Sequence, residues 1–337
     1  MDLSLSDEQR QLVDAFTALY ARMSTSEQVR AAEPLGFDRE LWRAMLDTGV
    51  LEMAVSEDDG GWGATELDLA LVAEQHGRAI APAPLIETQV AAKLLARCGS
   101  EQLGPVLGGE RLVTFAPRSA RDGRAGLVPA GAVADAAVVL HDDRLLLVPI
   151  AAGTRQIDNL AAMPLADIPI GPEATVLAEG PDAVELHAYA LDRWLLLSAL
   201  ALVGIAARAV ELGVDYAKRR HAFGVPIGSF QAVAHPLADS ATAVDGARLL
   251  GYRAACAYAE EPDRAAELSA MAFVFAYETA RDATLRSLHI HGGYGFGMEG
   301  DIQLYYRRAR GWALVYAEPP LVLDRVADAR YGPVAAR

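Results

Sequence analysis

Apolar residues recur at helical spacing through the first hundred positions. Val13, Phe16, Thr17 and Tyr20 stand at i, i+3, i+4 and i+7, the spacing that lines one face of an α-helix. Ser6, ahead of Asp7, Glu8 and Gln9, is suited to cap that helix. A second helix begins near Asp38, with Leu41, Met45 and Leu46 sharing a face. Gly60-Gly61-Trp62-Gly63 then forces a turn. Thr65 and Glu66 open the next helix, which carries Leu67, Leu69, Leu71 and Val72 to Gly77. Ile80-Ala81-Pro82-Ala83-Pro84 stops it, and a further helix covers about 85 to 98. Beyond 110 the pattern changes to short runs of Val, Leu and Ala between Gly, Pro and Asp. Ala136 to Leu140, His141-Asp142-Asp143, and Leu145 to Ile150 read as a β-hairpin. From Ala188 the chain is helical again. Leu191 to Arg219 predicts one helix about 43 Å long, apolar on nearly all sides in its first half, as the centre of a bundle requires. A loop, Phe223 to Phe230, precedes helices at about 231–260 and 263–291, and Gly292-Gly293 ends the last of them.

This order predicts a mainly α fold with a small β domain: an α-helical domain over 1–110, a small β-barrel-like domain over 111–185 and a C-terminal four-helix bundle over 186–337. With 337 residues, 52% of them hydrophobic, the chain can bury a large core and is not a disordered protein. Its net charge of −15 argues against a nucleic-acid partner. Cys98 and Cys256 form neither a metal-ligand spacing nor a disulfide framework. Met1 to Glu8 lacks the basic and apolar regions of a signal peptide. The most apolar run, Trp194 to Ala207, is shorter than the ~20 residues a bilayer needs. It reads as a buried helix, so no membrane span and a cytoplasmic location are expected. On a helix, His289 and His291 point about 200° apart and do not share a metal ion. Glu57-Asp58-Asp59 lacks calcium-loop spacing and reads as a solvated turn.

Three motifs carry more information. The first is Tyr216-Ala217-Lys218-Arg219-Arg220-His221-Ala222-Phe223-Gly224-Val225-Pro226-Ile227-Gly228-Ser229-Phe230-Gln231. The second is His289-Ile290-His291-Gly292-Gly293-Tyr294-Gly295-Phe296. The third is Asp59-Gly60-Gly61-Trp62-Gly63, followed by Glu66, Leu67 and the helix to Glu74-Gln75-His76-Gly77-Arg78. Singly, Arg220 is a solvated charge at a helix end and Gly292-Gly293 a plain cap. Together, in this order and spacing, they resemble the acyl-CoA dehydrogenase family over essentially the whole chain.

The resemblance implies FAD as cofactor, with Arg220 reaching its pyrophosphate, Phe223 near the adenine, and Gln231, His289, Gly292 and Gly293 also at the cofactor. Arginine's forked donors suit a pyrophosphate, and paired glycines let backbone approach a ligand closely. It also implies dehydrogenation of an acyl-CoA or acyl-carrier thioester in lipid metabolism. The expected acceptor is an electron-transfer flavoprotein or similar protein. The expected assembly is an oligomer with itself or a paralogous subunit, in which each chain completes its neighbour's FAD site.

Two departures stand out. The family's T-E-P-x-x-G-S-D stretch is replaced by Thr114-Phe115-Ala116-Pro117-Arg118-Ser119-Ala120-Arg121-Asp122-Gly123, and no tryptophan occurs between 63 and 193. The glutamate that takes the substrate α-proton is also missing. Ungapped comparison puts Tyr316 at its usual place, after Arg307-Arg308-Ala309-Arg310, and Trp194 at the alternative place on the long helix, with Asp192 two residues earlier. Tyrosine is a poor base at neutral pH. Glu318 is then the first candidate base and Glu299 the second, each with a structural or exposed acid as its plainer reading. The chain is thus expected to be an FAD-dependent dehydrogenase or a non-catalytic, cofactor-holding partner subunit.

Overall fold

A computed structural model describes residues 4–332, so the first three residues of the N-terminal segment lie outside the described part. The chain opens with α1 (Asp7–Met23), α2 (Ser26–Ala32), α3 (Arg39–Leu46), α4 (Glu66–Arg78), α5 (Leu85–Arg97) and α6 (Leu103–Leu107). Six strands follow: β1 (Val113–Phe115), β2 (Arg124–Val128), β3 (Ala136–His141), β4 (Arg144–Pro149), β5 (Ala166–Pro169) and β6 (Thr175–Glu179). Then come α7 (Pro181–Arg219), the short β7 (His221–Ala222) and β8 (Val225–Pro226), α8 (Gln231–Glu260), α9 (Pro262–His291), α10 (Gly293–Phe296), α11 (Ile302–Leu314) and α12 (Pro319–Tyr331). The sequence anticipates most of these elements. Ser6 caps α1 in a reciprocal box, accepting from Gln9 N at 3.2 Å while Gln9 Oε1 accepts from Ser6 N at 3.0 Å. Asp38 caps α3 through the amides of Glu40 and Leu41. On α1 the buried face is Phe16, Leu19 and Tyr20, whereas Thr17 is exposed and bonds Gln75. Leu19 therefore takes the core position that spacing alone gives to Thr17.

The chain divides into two compact units. One holds the residues up to Ser26, Ala70–Ala81 and those from Leu195 onward; the other holds Glu27–Leu69 and Pro82–Trp194. The first is helical. Its centre is α7, where the run from Leu195 to Ala206 is buried throughout. By length and composition α7 qualifies for a membrane crossing, but 78% of its most apolar window is buried within the fold. α8 and α9 pack along each other, and α11 and α12 pack on α9. Ser287 of α9 donates to the Ala209 carbonyl of α7 at 2.7 Å. A Cβ on Gly77 would overlap the Ala201 carbonyl, and one on Gly204 the Glu74 carbonyl, so α4 and α7 meet backbone to backbone. Gly204→Ala should cost about 1–3 kcal/mol, because backbone cannot yield as a flexible side chain does. Denaturant unfolding measures this, and an unchanged midpoint would contradict the close crossing.

The second unit carries the sheets formed by β1 to β6. One sheet has the order β1-β3-β4-β6, with β1 parallel to β3 and the other pairs antiparallel. β2 pairs antiparallel with β5. Ala125, Val128, Ala166 and Ile168 of the ribbon share one core with Ala137, Val139, Leu146 and Val148 of the sheet, which gives the barrel-like packing. Asp142, at φ 55°, makes the tight turn between β3 and β4. α7 begins at Pro181, ahead of the expected Leu191. His187 in that added stretch is buried, packs 5.2 Å from the Phe115 ring and meets the Ala116 carbonyl at 3.2 Å.

Candidate cofactor and active site

The first two motifs meet at one end of the helical unit. Tyr216, in the last turns of α7, stacks on His291, the last residue of α9, with ring centroids 4.3 Å apart. The stack places Arg220, just past α7, and Gly292, just past α9, beside joined helix ends. The Arg220 amide donates to the Tyr216 carbonyl at 2.8 Å, and its carbonyl accepts from Ile227 N at 2.8 Å. The backbone is thus fixed while the side chain is exposed. Phe223 has a left-handed backbone, φ 54°, and is 96% exposed. Its ring meets Phe230 edge-on at 6.1 Å, next to the exposed Gln231 that starts α8. Holding a bare phenylalanine in a strained turn costs free energy; a ligand or partner that covers the ring offsets it. Gly292 caps α9 at φ 60°, and a Cβ on Gly292 or Gly293 would point into open space. A fixed exposed cation, an uncovered aromatic ring and two glycines with room above them fit a dinucleotide.

His289 is exposed and His291 buried, so the two do point apart. Among the described residues no group of His, Cys, Asp and Glu could hold a metal ion. In the third motif, Glu74 serves packing. Glu74 is buried and accepts from Arg248 Nε at 2.8 Å and the Tyr252 hydroxyl at 2.9 Å. The four tryptophans divide: Trp42 and Trp194 are core, Trp312 is half-buried, and Trp62 is 55% exposed with its ring laid over Gly49.

The candidate bases stand apart from such burial. Glu318 occupies the N-cap position of α12, is exposed, and makes no side-chain cap bond there. Glu299 is exposed in the turn before α11. Trp194 is 2% exposed, and its indole Nε1 donates to Glu87 Oε1 at 3.3 Å. The preceding Arg193 is anchored by its Nε to Glu66 at 2.8 Å, an oxygen shared with Lys93. Glu87 on α5 is a chemically distinctive residue that the sequence reading passed over. Burial pushes its carboxyl above the usual carboxylate range, against the opposing hydrogen bonds from backbone and Trp194. The available signal was a lone acid among Leu85, Ile86, Val90, Ala91 and Ala92, in a stretch with no other charge before Lys93.

A carboxyl whose pKa is raised by folding stabilises the fold fully below its unfolded value. That contribution is lost as pH rises through the folded value. Glu87→Gln should therefore gain stability relative to wild type on going from acid to neutral pH. Unfolding at a series of pH values measures the difference, and a pH-independent difference would contradict the burial of an ionisable Glu87.

The helical bundle and the small barrel-like β region define a mainly α fold with a small β domain, on which the exposed Arg220, Phe223 and Gly292 could hold a dinucleotide. Comparison with known proteins narrows it. The descriptions "Acyl-CoA dehydrogenase, N-terminal domain" and "Acyl-CoA dehydrogenase, C-terminal domain" match residues 6–104 and 187–315. Acyl-CoA dehydrogenase IpdE2 of Mycolicibacterium smegmatis is 31% identical, over 96% of this chain and 98% of its own. Acyl-CoA dehydrogenase FadE27 of Mycobacterium tuberculosis is 29% identical over 92% and 93%. The solved ChsE4-ChsE5 complex from Mycobacterium tuberculosis superimposes with a TM-score of 0.88 at 25% identity, covering 99% of this chain and 100% of that one. The chain belongs to the acyl-CoA dehydrogenase family. It is an FAD-dependent oxidoreductase of the acyl-CoA dehydrogenase type.

Proposed function

We propose that this chain works in the α,β-dehydrogenation of an acyl thioester as one subunit of an oligomer whose members complete each other's FAD sites. The observation that carries this is the exposed surface of Arg220, Phe223 and Gly292, held by the Tyr216–His291 stack. Arg220 binds the FAD pyrophosphate, Phe223 covers the adenine, and Gln231, His289, Gly292 and Gly293 bound the same cofactor. FAD, when bound, supplies hydride acceptance from the substrate β-carbon. The proton at the α-carbon falls to a carboxylate, Glu318 first and Glu299 second. The substrate is an acyl-CoA or acyl-carrier thioester, and an electron-transfer flavoprotein or similar protein takes the electrons.

A second reading, that of a cofactor-holding partner to a catalytic paralogue, is favoured by one observation. The place of the family's alternative glutamate is filled by the buried Trp194. The ChsE4-ChsE5 relative is itself a complex of two differently named chains. Light scattering at micromolar concentration should give at least a dimer, alone or with a paralogue. Phe223, Phe230, Tyr294, Phe296 and Met298 expose apolar surface on the helical unit that calls for cover. A monomer that holds FAD tightly would contradict the shared site. Mass-spectrometric detection of an enoyl thioester, with and without a paralogue that keeps its glutamate, separates the two readings.

A further inference from the structure

A cavity of about 280 Å³ lies in the helical unit, walled by residues of α1, α4, α7 and α11 and by Ser24-Thr25-Ser26. Arg78, Arg208, Gln75, Tyr20 and Tyr305 supply its polar lining, and no carboxylate lines it. That is notable in a chain with 45 acidic residues against 30 basic ones. Beside the lining, the part-exposed Glu211 receives Arg78 Nη2 at 2.7 and 2.6 Å and Arg208 Nη1 at 2.9 Å. Burial acts to raise the Glu211 carboxyl, but the hydrogen bonds and charges of the two arginines outweigh it and hold the pKa below the usual value. One carboxylate against two guanidiniums leaves the cluster with a net charge of +1.

The donors are not used up. Arg78 donates through Nη2 only, which leaves Nε and Nη1 without a protein acceptor among the described residues. Gln75 accepts from the Thr17 hydroxyl through Oε1, so its amide N–H groups are likewise unspent. The Tyr305 hydroxyl donates to the Arg78 carbonyl at 3.1 Å and fixes the arginine's helix end. The walls are therefore rich in fixed N–H and O–H groups and carry net positive charge, with Glu211 as the one acid bonded to the two arginines.

We propose that this cavity binds a small oxyanion, a carboxylate or a phosphate, at a site formed by Arg78, Arg208 and Gln75 and separate in its residues from the flavin surface. Two half-exposed guanidiniums, Arg78 tethered by Glu211 alone and Arg208 by Glu211 and Tyr305, present the forked geometry that suits an oxyanion. The volume limits the guest. It lies just below the range of about 300–1,000 Å³ for pockets that enclose drug-sized ligands, so the site takes a free anion or a short anionic head, not a whole acyl-CoA. Binding has a built-in reporter. Tyr20 lines the cavity, its hydroxyl meets His76 Nδ1 at 3.1 Å, and His76 stacks on Trp312 at 5.9 Å.

The test is titration of the full chain, with its flavin and any partner, by calorimetry and tryptophan fluorescence. The probes are inorganic phosphate and malonate at constant ionic strength, with chloride as the balancing salt. One saturable site is expected, weakened at least tenfold in Arg208→Gln and in Arg78→Gln. Gln75→Leu, which breaks no ion pair, should also weaken it and serves if the arginine variants fail to fold. Arg253→Gln, at an ion pair with Glu261 elsewhere in the bundle, should leave it unchanged. Flavin content should be the same in all of these variants. Saturation by phosphate but not malonate assigns the phosphate, and the converse assigns the carboxylate. No saturation by either probe, or equal affinity in wild type, Arg208→Gln and Gln75→Leu, overturns the proposal.

Discussion

Purified as a homo-oligomer, the chain should bleach its flavin with acyl-CoA thioesters about 10²–10⁴ times more slowly than a relative that keeps its glutamate, the usual worth of a positioned general base. Ungapped comparison with the family motifs puts Tyr316 and Trp194, the latter buried, at the two places where that base is expected. The nearest replacements by sequence, Glu318 and Glu299, are both exposed. A good base needs partial desolvation and a fixed place. Of the acids near these positions, Glu87 has the desolvation, but it is spent on the Trp194 indole. Anaerobic stopped-flow with a panel of acyl-CoAs measures the rate, on wild type, Glu318→Gln and Glu299→Gln. Rapid bleaching by wild type would end the partner-subunit reading in its simple form. Bleaching that survives both substitutions would remove both acids as bases. Slow bleaching alone, restored by a paralogue with its glutamate, is the expected pattern.

Arg220→Ala should weaken FAD by about 1.5–3 kcal/mol, the worth of a charge-assisted hydrogen bond. That is about ten- to a hundredfold or somewhat more in affinity. The residue is suited to show a clean effect. Its backbone is tied to Tyr216 and Ile227 while its side chain is exposed, so the substitution removes a ligand contact without opening the core. Flavin release followed by fluorescence gives the affinity. Equal affinity in the variant would assign the motif another use in this chain.

The chain's periodicities carried most of the secondary structure because burial and spacing agree along the bundle helices. Leu195 to Ala206 is apolar except for Ser198 and is buried throughout. Capping chemistry located the starts of α1 and α3 through Ser6 and Asp38. The start of α7 was not legible. Pro181 to Ala190 is polar and mixed, and its helicity rests on packing such as His187 against Phe115, a contact 72 residues distant in sequence (187 minus 115). Motif order pointed to Arg220 and Gly292, but only the Tyr216–His291 stack shows how they come to one end of the bundle. Glu87 escaped for a related reason. A single acid in an amphipathic helix looks solvated until its long-range partner is known, and here that partner, Trp194, is 107 residues away. The Arg78–Glu211–Arg208 cluster joins residues 133 positions apart and has no local sequence signature.

The visible spectrum of the purified protein, alone and with a paralogous subunit, tests the central claim most directly. An FAD-holding member of this family gives a yellow preparation with the oxidised-flavin band, or gains the band on adding FAD. A colourless protein that takes up no FAD in either state would contradict the assignment of Arg220, Phe223 and Gly292-Gly293 to the cofactor, and with it the proposed function.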